Sequence, residues 1–264
     1  MLVTRYSNAF GAVMVLAWSC SIACPIVLAQ TGPSSSAPTV DTILEKLRAS
    51  ADTLKTYQCR IEYLFEQPML ETKTVQKGMV YYDKSSENSL FRMNFSSKQE
   101  DDQKARTYRE DYLFDGVWLT YVDYQEPVYQ RRQICATDKP VDAFELASGN
   151  MPIVGFSANE DLKNEFAIRI ADDSPAQSTG EIKLDLVVLP NSELRKNYQS
   201  LSFWISTEQW LPTRVDTLTT EDDIVQIKFI KAKVNTPINS KVFKIEVPKG
   251  FVKPEIVPLR SVKK

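Results

Sequence analysis

The chain has 264 residues, with 32 Lys+Arg against 34 Asp+Glu, 8 Gly, 14 Pro, 4 Cys and no histidine. The missing imidazole excludes His-based triads, His-ligated zinc, proximal-His haem and His general bases, and glycines only at 11, 32, 78, 116, 149, 155, 180 and 250 leave no GxGxxG or GxxxxGKS/T loop to cradle a nucleotide. A formal net charge of −2 with interspersed signs carries no polyanion-binding signature, so nucleic acid is not an expected partner.

Residues 1–29 read as a secretory signal: Arg5, the uncharged run Ala9–Ala17, and Val27-Leu28-Ala29 before Gln30 as the cleavage pattern. Ser21-Ile22-Ala23-Cys24 is near a lipobox but has Ser three before the cysteine, so soluble export is favoured over lipidation at Cys24. Residues 30–38 form a flexible linker, 39–251 one folded domain, and 252–264 a Pro- and Lys-containing tail not expected to be ordered throughout. Export leaves Cys59 and Cys135, which either pair as a disulfide or stand as two small buried thiols.

Val40, Ile43, Leu44, Leu47, Ala51 and Leu54 follow the helical i, i+3, i+4, i+7 rhythm, with Thr39 as N-cap and Asp41 at the positive end of the dipole. From Tyr57 the period becomes two. Strands are predicted at Tyr57–Phe65, Thr72–Tyr82 (Gly78 marking a bulge or close approach), Leu90–Ser97, Tyr108–Phe114, Val117–Tyr124 and Val128–Cys135. Asp115-Gly116 suits a type I′ hairpin turn. A short helix is predicted over Val141–Ala147, and strands resume at Glu165–Ile170, Glu181–Leu189, Ser200–Ser206, Leu211–Thr219, Ile224–Val234 and Val242–Val247. Short strands at regular spacing predict a mainly-β fold: one antiparallel, strongly curved sheet or barrel, with the helix over an open end or face. Its inward candidates are aromatic: Tyr63, Phe65, Phe91, Met93, Phe95, Tyr112, Phe114, Trp118, Phe203, Phe229 and Phe243. Such a face either packs on itself or lines a cavity.

Several segments, taken in order, resemble one family. They are the helix from Asp41, the strand ending Phe65-Glu66-Gln67, Gly78-Met79-Val80-Tyr81-Tyr82, Phe91-Arg92-Met93-Asn94-Phe95, the Asp-Gly hairpin from Tyr112 to Tyr121, Leu211-Pro212-Thr213-Arg214, and the closing segment Asn235–Phe251. Together they are similar to the periplasmic lipoprotein carrier LolA, over almost the whole of 41–251. The resemblance implies an incomplete β-barrel of about eleven antiparallel strands covered by the N-terminal helix and short lid helices. It implies a carrier, not an enzyme, without metal or cofactor. Such a carrier hides lipoprotein acyl chains in an apolar cavity, taking them from an inner-membrane ABC-type exporter to an outer-membrane receptor. The cavity wall is then expected from Ile43, Leu47, Leu54, Tyr63, Phe65, Met79, Phe91, Met93, Phe95, Phe114, Trp118 and Phe203. Where the family has an Arg-Pro pair that latches the lid, this chain has Asp83–Asn88 with Lys84, a point charge without a guanidinium's directed donors. Two other classes compete: a periplasmic regulatory module of the RseB type, which carries a second C-terminal domain, and a two-carboxylate hydrolase. The acidic groups at 100–102, 172–173 and 221–223 lack EF-hand spacing and read as solvated turns.

Overall fold

Thr39 caps the first helix through its Oγ1, which accepts from the Thr42 amide at 3.3 Å, and Asp41 sits in the first turn. In the computed structural model, which describes residues 38–85, 88–126, 128–143, 159–175, 180–247, 249–251 and 254–258, this helix is α1 (Val40–Asp52). It buries Ile43, Leu44 and Leu47, lies against the strand Phe166–Ile170 and a second helix, α2 (Asn159–Glu165), and pairs Asp41 with Lys163 at 2.6 Å. The signal segment with Cys24, nearly all of the linker and most of the helix expected over Val141–Ala147 lie outside the described residues.

The strands are β1 (Thr56–Gln67), β2 (Thr72–Asp83), β3 (Leu90–Glu100), β4 (Arg106–Phe114), β5 (Trp118–Asp123), β6 (Val128–Gln133), β7 (Phe166–Ile170), β8 (Glu181–Val188), β9 (Tyr198–Ser206), β10 (Pro212–Thr219), β11 (Ile224–Val234) and β12 (Glu255–Val257). They form one 12-stranded sheet in the order β12-β6-β5-β4-β3-β2-β1-β11-β10-β9-β8-β7. All neighbours are antiparallel except β12 on β6. The two ends, β12 and β7, do not pair, so the sheet is open: a mainly-β incomplete barrel.

Register assigns the faces, because side chains alternate along each strand. Ile61, Val80 and Met93 share one face with Phe229, Val215, Phe203 and Leu184, and this inner face joins the buried residues of α1 in one hydrophobic core. The outer face carries Arg92, Asp111, Tyr81 and Tyr124, and the C-terminal segment crosses it. One expectation is corrected here. The strand predicted at Val242–Val247 is absent; Ser240–Phe243 is a 3₁₀ turn capped by Asn239, and Phe243 packs on Tyr81 of the outer face, ring centroids 6.5 Å apart. The segment 252–264, not expected to be ordered throughout, holds Glu255–Val257, which pairs with β6, and Phe251 just before it packs on Tyr124.

The hairpin turn also differs. Positive φ falls on Gly116 (93°) and not on Asp115, so Asp-Gly does not form the I′ turn, which needs it at both central positions. Asp115 instead accepts from the amides of Val117 and Trp118 through Oδ1 at 3.1 and 2.7 Å.

Cys59 and Cys135 are free, so the disulfide is not formed. Cys59 is buried on β1, and burial pushes its thiol up to about 12; Cys135 is half-buried, its Sγ donating to the Gly116 carbonyl at 3.1 Å. Because the thiolate is the nucleophile, Cys59 is expected to resist iodoacetamide in the native protein and to react only after denaturation. Peptide mapping of the adducts checks this, and rapid native labelling at Cys59 contradicts the buried placement.

Candidate ligand-binding pocket

A pocket of about 460 Å³ opens on the inner face where β1 to β4 and β11 meet. Its floor is apolar: Ile61 and Phe65 of β1, Met93 and Phe95 of β3, and Ile227 of β11. Tyr63 closes one side, edge-on to Phe95 at 6.2 Å. The other end is polar, built from Thr74 and Gln76 of β2, Lys98 of β3, and Tyr108, Glu110 and Tyr112 of β4.

Register brings these residues together. Tyr63 pairs with Gln76 and Phe65 with Thr74 across β1/β2, while Met93 pairs with Tyr112 and Phe95 with Glu110 across β3/β4. The β2/β3 register slips between Lys77 and Gly78, and the β3/β4 register between Phe95 and Ser97. An extra residue in a strand inverts which neighbours face inward. Beyond Phe95 the inward position therefore falls to Lys98, opposite Gln76.

Glu110 is the centre of the polar end and is only 7% exposed. Its Oε1 accepts from the Tyr112 hydroxyl at 2.7 Å and its Oε2 from Gln76 Nε2 at 3.2 Å. Asp123 of β5, directly opposite Glu110 and 8% exposed, accepts from the Tyr108 hydroxyl at 3.2 Å. Tyr121 packs on Tyr112 at 4.9 Å. Burial pushes the Tyr108 hydroxyl up to about 12, and the negative charges of Glu110 and Asp123 push the same way. Burial, then the bond to Glu110, holds Tyr112 and Tyr121 well above the usual phenol range. These phenols stay protonated donors at neutral pH. Lys98 lies 5.3 Å from the centre of the Tyr108 ring and pairs with Glu100 at 2.7 Å.

Of the residues expected in the wall, Tyr63, Phe65, Met93 and Phe95 line this pocket. Ile43, Leu47, Leu54, Phe91, Phe114 and Phe203 are buried in the core instead. Met79 and Trp118 face the other way, a correction with a simple cause. Met79 pairs with Arg60 and Asn94, one residue out of phase with the inward Val80, and in the hairpin it is Leu119, not Trp118, that lies opposite inward Phe114. Trp118 is covered by the Arg131 guanidinium, 5.1 Å from the ring centre. Thr74, Gln76, Lys98, Tyr108 and Glu110 are not among the expected residues, being polar side chains at inward positions. Lys84, where the family latch is expected, pairs with Asp142 at 3.2 Å, and Ser89 Oγ accepts from the neighbouring Ala143 amide at 2.7 Å.

No protein-family model matches the sequence, and no curated protein matches it. Among solved structures, MucB is similar at 11% identity and a TM-score of 0.49, covering 80% of this chain; this chain spans 64% of that one. An uncharacterised conserved protein from Thermus thermophilus is similar at 12% identity and 0.47, with 83% of this chain and 98% of that chain covered. The structural neighbours also include a LolA superfamily protein from Nitrosomonas europaea, at 14% identity and 0.33, covering 79% of this chain and 99% of that one.

Proposed function

We propose that this protein is a periplasmic carrier that shields the acyl chain of a lipoprotein, or of a related lipid, without covalent chemistry. The observation that carries the reading is the open pocket on the inner face, floored by Ile61, Phe65, Met93, Phe95 and Ile227. At 460 Å³ it falls within the roughly 300–1,000 Å³ of small-molecule sites. α1 lies against β7, at the far end of the sheet order, while the pocket lies on β1 to β4. Burial of an alkyl chain there supplies about 0.8 kcal/mol per CH₂ removed from water, enough for useful affinity without covalent attachment. The ordered sequence resemblance to LolA supports the same reading. It extends the reading to uptake from an inner-membrane ABC-type exporter and delivery to an outer-membrane receptor.

Binding of a fluorescent acyl probe tests the proposal. Met93→Asp and Phe95→Asp place a charge in the floor and are expected to lower probe affinity at least about tenfold, because an unpaired buried carboxylate is strongly disfavoured. Met79→Gln, on the other face, is expected to leave binding unchanged. Full binding by a folded Phe95→Asp protein overturns the assignment of the pocket.

A further inference from the structure

The polar end of the pocket has a charge arrangement that an acyl chain alone does not use. Glu110 is 7% exposed, and its hydrogen-bond partners, Tyr112, Tyr121 and Gln76, are neutral. Asp123 stands beside it across the β4/β5 ladder, receiving a bond from the neutral Tyr108 hydroxyl. Among the described residues no Lys or Arg forms an ion pair with either carboxylate. The one cation lining the pocket, Lys98, is engaged by Glu100 at 2.7 Å. Around Glu110 stand aromatic rings: Tyr108, Tyr112, Phe95 and Tyr63 all line the same pocket. A carboxylate inside an aromatic enclosure recognises an organic cation, through ion pairing at the carboxylate and attraction to the ring faces. The same wall repels a carboxylate or phosphate head, since buried Glu110 lines it with Asp123 directly behind on β5, and the lining ammonium of Lys98 is already paired.

We infer that the pocket takes an amphiphile with an ammonium head, the head at Glu110 between the Tyr108 and Tyr112 rings and the alkyl tail over Phe65, Met93, Phe95 and Ile227. The inference rests on the lipid-pocket reading above and adds the chemistry of the head. Burial is the main reason that the Tyr108 and Tyr112 hydroxyls hold their protons, and the negative charge of Glu110 pushes the same way.

Displacement of a bound fluorescent acyl probe by dodecylamine, dodecanol and laurate at neutral pH tests this, since the three share a tail and differ in head. The wild-type protein is expected to bind dodecylamine at least about tenfold more tightly than dodecanol, and laurate more weakly than either. Glu110→Gln, which keeps the size and one acceptor oxygen but removes the charge, is expected to abolish the preference for the amine over dodecanol. Lys98→Gln is expected to strengthen the preference by removing the competing cation. Equal binding of amine and alcohol, a preference for laurate, or an unchanged preference in Glu110→Gln overturns the inference while the lipid pocket stands. Failure of all three ligands to displace or bind overturns both. The wild-type ranking alone is decisive if the variant does not fold.

Discussion

Arg92→Met is expected to lower stability by about 3–5 kcal/mol, the range for removing one partner of a buried ion pair. Arg92 of β3 donates to Asp111 of β4 through Nε at 2.9 Å and Nη2 at 2.6 Å, and through Nη1 to the Val242 carbonyl. The two side chains are 14% and 4% exposed. Without the guanidinium, Asp111 keeps only the Tyr124 hydroxyl at 2.8 Å among its side-chain partners described, and a charge sits uncompensated under the C-terminal segment. Asp111→Asn in the same background is expected to recover a large part of the loss, because the buried charge goes with it. Urea unfolding of the four proteins of this cycle measures both effects. A loss below about 1 kcal/mol in Arg92→Met means that the pair is solvated and the C-terminal segment does not cover it.

The second large effect is expected at Gly78, for a backbone reason. A Cβ built there lies 1.7 Å from the Asn94 carbonyl oxygen and 2.9 Å from the Phe95 Cα, atoms of the neighbouring strand that no rotamer change can move. The close approach is the slip in register between β2 and β3, stitched by the Met79 amide donating to Asn94 Oδ1 at 3.1 Å. Gly78→Ala must push β3 away, so a loss of about 3 kcal/mol or more is expected in thermal or urea unfolding. Because Phe95 floors the pocket and Lys98 reaches its rim through this slip, any folded Gly78→Ala protein is also expected to bind the acyl probe more weakly. Wild-type stability in Gly78→Ala contradicts the packing of these two strands.

Much of this architecture is legible in the chain itself. The 3.6-residue rhythm of Ile43, Leu44 and Leu47 places α1, and the period-two runs place eleven of the twelve strands. Five pocket residues, Tyr63, Phe65, Met93, Phe95 and Tyr112, are found by alternation alone. The misses have physical causes. Alternation shows that Met79, Trp118 and Phe243 belong on some buried face but not which one. Here the outer face is itself covered, by Phe243 and Phe251, so apolar residues are required on both sides of β2 to β5. Lys98 is hidden by the bulge after Phe95, which inverts the phase. Glu110 and Tyr108 were within reach, since they share the i, i+2 row of Tyr112 and Phe114. A search for apolar residues passes over the charged member of that row, which is the residue that gives the pocket its polarity. The C-terminal strand, Glu255–Val257, is three residues long and depends on pairing with β6, a contact no local pattern announces.

The central claim is that an acyl chain lies over β1 and β3 on the inner face, and photo-crosslinking with a diazirine-bearing acyl probe tests it most directly. Peptide mapping of the adducts is expected to find them on Tyr63, Phe65, Met93 and Phe95, with unlabelled lipid competing them away. Adducts concentrated on Met79, Trp118 or the outer face, or labelling that excess lipid leaves unchanged, contradict it.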